Sequence, residues 1–204
     1  TNLTATAGST TQWTDSTLTG ASGFYRVTIS AAESAIGSST NRINTDVNNI
    51  TATSKAGPGD IYLNEANSVT LSNVHNDNGK VDVIANGNMN AENVSTTGGA
   101  GDSITLKTTS GSIEVGKINA SGGAGDVTLT SATNITDNDS NSLVTANNLN
   151  LTAGNLTGSA AAMNLQVVSG DHVLTIQNQP GAANYNIYRR TNITDPWELA
   201  AANY

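Results

Sequence analysis

Between residues 59 and 151, short runs of alternating apolar and polar residues return about every twenty residues, each behind a glycine and a charged residue. Gly59-Asp-Ile-Tyr-Leu, Gly79-Lys-Val-Asp-Val and Gly125-Asp-Val-Thr-Leu open such segments, and Gly101-Asp-Ser-Ile-Thr-Leu opens another with one extra residue. Placing Ile61 on Val81 puts Leu63 on Val83, Val69 on Met89, Leu71 on Ala91 and Val74 on Val94. The order continues through Ile104, Leu106, Ile113, Val115 and Ile118, then Val127, Leu129, Ile135 and Leu143. Degenerate continuations follow at Leu149, Leu151 and Leu156, and at Leu165, Val167, Val173 and Ile176. Upstream, Val27 and Ile29, then Ile43, Val47 and Ile50, read as earlier turns.

Alternation with period two is the signature of a strand with one buried side. No single unit can satisfy its own backbone donors and acceptors, so the units must stack. Stacked in parallel, about 4.8 Å apart, they bury a continuous aliphatic column while Asn-Gly and Gly-Gly pairs turn the corners. The predicted fold is all-β: a right-handed parallel β-helix, or solenoid, with β-strand flanks. Its predicted core column is Ile61, Leu63, Val81, Val83, Ile104, Leu106, Val127, Leu129, Leu149 and Leu151.

Composition agrees with a thin core. The chain has 204 residues, 36% hydrophobic and only 4% aromatic, so small aliphatics must offset the ordering entropy. A charged fraction of 12% and regularly spaced Val, Ile and Leu argue against disorder. The net charge is −8 and Arg189-Arg190 is the only arginine pair, leaving a phosphate backbone little to bind; no nucleic-acid partner is expected. There is no cysteine, hence no disulfide or thiolate metal site. No apolar run reaches the ~20 residues that cross a bilayer as a helix, so membrane insertion is not expected. Richness in Asn, Thr, Ser and Gly with few lysines points to an extracellular or cell-surface protein.

Thr97-Gly-Gly-Ala-Gly-Asp-Ser-Ile-Thr-Leu and Ser121-Gly-Gly-Ala-Gly-Asp-Val-Thr-Leu-Thr-Ser resemble the repeats of filamentous-haemagglutinin-like bacterial adhesins over roughly residues 57–150. That resemblance implies an exported rod used for reach, adhesion or scaffolding, and it carries no catalytic residues.

The termini have a different character. Asn184-Tyr-Asn-Ile-Tyr-Arg-Arg-Thr-Asn and Pro196-Trp-Glu-Leu-Ala at the tail, set before Thr11-Gln-Trp-Thr-Asp and Gly23-Phe-Tyr-Arg-Val-Thr-Ile at the head, resemble one fibronectin-type-III-like module of bacterial surface proteins. The resemblance implies a sandwich split between opposite ends and completed between neighbours. The expected organisation is therefore residues 1–40 as an N-terminal β flank with the first turn, 41–180 as β-helix repeats and 181–204 as the C-terminal flank. Most aromatic residues lie in the flanks. Trp13, Phe24, Tyr25, Tyr185, Tyr188, Trp197 and Tyr204 are the expected anchors of a head-to-tail polymer interface. The plainer alternative is that each flank caps its own end of the coil.

Catalytic signals are few, and no enzyme is predicted. His75 and His172 lie far apart in turn-like surroundings, and no nucleophile-elbow pattern occurs. Asp137-Asn-Asp-Ser-Asn-Ser sets oxygen ligands at alternate positions like the first half of an EF-hand loop, with Asp137, Asp139 and Asn141 as candidate calcium ligands. It lacks the sixth-position glycine and the twelfth-position glutamate, and a polar corner whose Asn and Asp bond their own backbone is the plainer reading. Asn86, Asn88 and Asn90 are candidates for stacked amide ladders. The functional expectation is an extracellular structural subunit that joins copies head to tail by strand complementation, in a fibre or tandem-repeat stalk. Contact with surfaces or glycans is a secondary expectation. The alternative is a secreted carbohydrate-binding or carbohydrate-cleaving β-helix.

Overall fold

The computed structural model describes residues 25–155, apart from residues 33, 56, 122–123 and 138–140, together with the backbone of short strands nearer the termini. The described residues contain no α-helix. Parallel strands wind into a solenoid of about six turns with two faces. The short face stacks β3 (Ile43–Thr45), β5 (Ile61–Glu65), β7 (Val81–Ala85), β9 (Ile104–Thr108), the first part of β11 (Val127–Asp137), β13 (Leu149–Asn155) and β15 (Leu174–Gln177). The long face stacks β1 (Leu3–Thr6), β2 (Arg26–Ala31), β4 (Asn49–Ser54), β6 (Val69–Asn76), β8 (Met89–Thr96) and β10 (Ile113–Ala120). It continues with the end of β11 beside β12 (Leu143–Ala146), and then β14 (Leu165–Val167).

Two columns run through the short face. Ile61, Val81, Ile104, Val127 and Leu149 pair rung to rung, and so do Leu63, Val83, Leu106, Leu129 and Leu151. All are buried, most of them completely. Alternation explains this: β5 and β7 bury every second residue and leave the others half-exposed. Each Val, Leu or Ile so buried contributes about 1.5–3 kcal/mol.

The long face bends, and the bend changes from rung to rung. In β4 inward and outward residues alternate strictly, whereas in β6 the neighbours Ser72 and Asn73 both face outward. The register between β4 and β6 slips at the same place, between Ile50 and Thr51. One extra residue thus creates a bulge that later rungs inherit. At the equivalent place in β10, Gly116 is buried, and a Cβ there would stand 2.7 Å from the Glu92 carbonyl oxygen. One rung further, residues 138–142 are inserted at the same bend, between Asp137, which pairs with Val115, and Leu143, which pairs with Lys117.

Corner positions hold buried polar residues. Ser54, Asn76 and Thr96 stack in register, with Ala120 above them. Asn76 is fully buried; its amide donates to the Gly59 and Lys80 carbonyls at 2.8 and 2.9 Å. The turn that follows uses Gly79 at φ +148°, a conformation side chains disfavour.

Three sequence expectations shift. Leu143 faces Lys117 and is only half-buried, while Val144 pairs with Ile118 and takes the core position, because the inserted loop moves the register by one. In β15 it is Leu174, one residue after Val173, that pairs with Leu149, and Ile176 pairs with Leu151. Arg26–Ala31, which the resemblance gave to the sandwich half and the spacing of Val27 and Ile29 gave to an earlier turn, is a rung of the coil, with parallel partners β1 on one side and β4 on the other. A strand paired on both edges has no free backbone groups to offer a neighbour's sheet. The tail behaves differently: β16 (Ile187–Arg189) and β17 (Glu198–Ala201) form a separate two-stranded antiparallel sheet.

Candidate functional site

The long face carries a groove of about 930 Å³ that crosses the strands. It follows the outward position nearest the corner of each rung. Arg26, Asn49, Thr70, Asn90, Glu114 and Thr136 are consecutive rung partners in this row, and all line the groove. At ~4.8 Å per rung the row extends about 24 Å. A second row, Ser68, Asn88 and Ser112, borders it at the corner. That row is stitched internally: Asn88 N donates to Ser68 Oγ and Ser112 N to Asn88 Oδ1, both at 2.9 Å. Tyr25 lies at the groove's N-terminal end, its backbone N–H held by Asn48 Oδ1 at 3.0 Å.

Asn49 stands out within this wall. Its Nδ2 donates to Ser72 Oγ at 2.6 Å, and Ser72 Oγ donates to Glu92 Oε2 at 3.0 Å. The Glu92 carboxylate can only accept, so the hydroxyl must donate to it and accept from the amide. This fixes which way the Asn49 amide points. Its Oδ1 is then left buried without a partner, the only such side-chain N or O atom among the described residues.

Two other polar clusters belong to the rungs themselves. Glu65 is almost fully buried. Its carboxylate accepts from Thr45 Oγ1 at 2.6 Å and from the Val47 and Asn67 backbone N–H groups at 3.1 Å. Burial pushes its pKa above the ordinary value, and these hydrogen bonds pull against that shift. On the outer side of the same face, Arg42 donates to the Leu63 and Asp82 carbonyls at 3.2 and 3.0 Å and to Asp82 Oδ2 at 2.7 Å, 5.3 Å above the Tyr62 ring centre. Arg42 thereby straps two rungs.

His75 forms a hydrogen-bonded chain that sequence spacing conceals, because Ser95 lies one rung above it. Nδ1 meets Ser95 Oγ at 2.8 Å and Nε2 meets Asp77 Oδ1 at 2.7 Å. The residue types are those of an acyl-transfer triad, but the ring nitrogens are used in the opposite sense: there serine bonds Nε2 and aspartate Nδ1. The groove does not reach these residues.

The remaining candidates are scattered. Amide ladders form between Asn44 and Asn64 at 2.9 Å and between Asn73 and Asn93 at 2.8 Å. Asn86, Asn88 and Asn90 belong to one rung and cannot stack on each other; Asn86 accepts from Thr109 Oγ1 at 2.7 Å. Of the candidate calcium ligands, Asp137 ends β11 with 9% exposure, Asn141 is exposed beside the inserted loop, and Asp139 lies outside the described residues. Among the described residues no group of three or more His, Cys, Asp or Glu is arranged to hold a metal ion. Of the expected interface aromatics, Tyr25 is half-buried at the groove end and Tyr188 lies within β16, opposite Leu199. Trp13, Phe24, Tyr185, Trp197 and Tyr204 lie outside the described residues.

The groove row was readable in principle as the polar position directly before Val27, Ile50, Leu71, Ala91 and Val115, the inward residues of successive long-face strands. It was missed because its members differ in type and share only register. No family model, curated protein or solved structure matches this chain.

Proposed function

We propose that this chain is a structural segment of an extracellular fibre or surface stalk, with neighbouring units joined head to tail. The observation that carries this reading is the unbroken stack of rungs, whose two aliphatic columns run in register from Ile61 to Leu149 and from Leu63 to Leu151. Such a body transmits length: each turn adds a fixed rise and contacts only the turns beside it. Outward side chains reinforce the same axis, since the amide ladders and the Arg42 strap tie rung to rung and not distant parts of a pocket. The adhesin-like Gly-Gly-Ala-Gly-Asp segments favour an exported setting.

The tail supports the joining step. A two-stranded antiparallel sheet by itself is marginal in water, and among the described residues β16–β17 has two strands. Added strands from a neighbour would supply main-chain hydrogen bonds to this small sheet. Because Arg26–Ala31 is committed to the coil, the complementing head segment would lie within residues 7–24. A head-to-tail contact of this kind is heterologous and extends into a fibre unless the rotation closes a ring.

The test is negative-stain imaging of the purified chain with and without residues 185–204. Filaments that disappear on truncation support the reading. Monodisperse particles from both proteins overturn the joining step.

A further inference from the structure

We infer that the long-face groove is a binding site for an extended, uncharged polysaccharide lying along the solenoid axis. The inference does not rest on head-to-tail assembly, because every lining residue belongs to the coil.

The ligand's shape follows from the groove's shape. The row from Arg26 to Thr136 presents one polar side chain per rung over about 24 Å, so the matching ligand is linear and repeats its polar groups at close to the rung spacing. Linked sugar rings do this. An extended peptide adding to a sheet needs a free backbone edge. The walls here are side chains standing on strands whose edges are already paired.

Charge selects among glycans. The row places its cation, Arg26, at one end and its anion, Glu114, toward the other, with Asn49, Thr70 and Asn90 between them. A polyanionic chain would gain one favourable contact and meet one repulsive one, whereas hydroxyl-rich neutral rings can both donate to and accept from the amides and hydroxyls between. Tyr25 adds an aromatic surface at one end, in keeping with sites that combine a ring with a few placed polar groups.

Affinity electrophoresis of the full chain tests this, with hydroxyethylcellulose, xyloglucan or arabinoxylan in the gel and polygalacturonate as the acidic counterpart. At least one neutral polymer should retard the protein. Thr70→Arg and Thr136→Arg, which fill the groove at separate rungs, should each weaken that retardation at least about tenfold. Thr128→Arg, on the short face, should leave it unchanged. Far-ultraviolet circular dichroism confirms that each variant keeps its β spectrum, and either groove variant alone suffices if the other fails to fold. The proposal is overturned if no neutral polymer retards the protein, if polygalacturonate alone does, or if the groove variants bind as well as the parent.

Discussion

Replacing Glu65 by alanine removes the acceptor that serves two turns of the coil at once. In the next rung Ala85 holds the same inward position without difficulty, because Asn86 N and Gly87 N there donate to the Glu65 and Asn67 carbonyls below, both at 3.0 Å. Val47 and Asn67 instead bring their N–H groups to the Glu65 carboxylate, at 3.1 Å each. Leaving a buried donor unsatisfied costs about 1–3 kcal/mol. Val47 is half-buried and Asn67 exposed, so water relieves part of this, removing a desolvated carboxylate returns more, and the expected net loss for Glu65→Ala is about 1–3 kcal/mol.

Glu65→Gln separates hydrogen bonding from charge. Its amide oxygen can accept from both backbone donors, and the Thr45 hydroxyl can turn to accept from the amide nitrogen. The folded-state pKa of Glu65 is raised above the ordinary 4.5, mainly by burial. A carboxyl raised in this way contributes stability that is complete below its ordinary pKa and is lost as the pH rises through the raised value. Glu65→Gln should therefore match or exceed the parent near neutral pH, and that advantage should shrink as the pH falls toward the ordinary glutamate range. Urea unfolding of the three proteins across this range measures both effects. A glutamine variant as damaged as the alanine variant at neutral pH, or an advantage that grows on acidification, would refute the reasoning.

Leu106→Ala, at the centre of a column between Val83 and Leu129, should cost about 2–5 kcal/mol in chemical denaturation, since a fixed backbone ladder cannot close the cavity. Gly116→Ala should destabilise by about 1–3 kcal/mol, because the new methyl meets the Glu92 and Ala91 carbonyl oxygens at 2.7 and 2.8 Å; a neutral result in thermal unfolding would show that the bulge can relax. Ser95 should remain unlabelled by a fluorophosphonate probe under conditions that label a reactive serine completely, because its histidine contact runs through Nδ1 and serves the ladder; stoichiometric labelling detected by mass spectrometry would contradict this.

Much of the coil was legible before any coordinates. Period-two alternation sets which side chains turn inward, and the spacing from Ile61 to Val81 to Ile104 to Val127 sets which of them meet. A parallel stack converts equal spacing directly into contact, so the repeat and the fold are nearly the same information. Where spacing changes, legibility stops. Inserted residues after Asp137 pushed Leu143 off the core and gave its place to Val144, since a single-residue slip in a strand reverses which side faces inward. Phe24-Tyr-Arg-Val-Thr-Ile carried two readings, half a sandwich by resemblance and an early turn through Val27 and Ile29; Arg26–Ala31 is such a turn, and the choice was open because local pattern identifies a strand and leaves its partners undetermined.

Side-chain chemistry between turns depended wholly on three-dimensional stacking. That Glu65 would cap Val47, that His75 would lie beneath Ser95, and that Arg26 through Thr136 would line one groove all follow from register between residues about twenty positions apart. The chain alone dictates an aliphatic spine and a rod built upon it, because burial of evenly spaced small hydrophobics admits few other solutions. The bulge at Ser72, the orphaned carbonyl of Asn49 and the groove beside them arise only when unequal rungs are laid on one another, where a single extra residue shifts the register on one side of a bend and leaves it unchanged on the other.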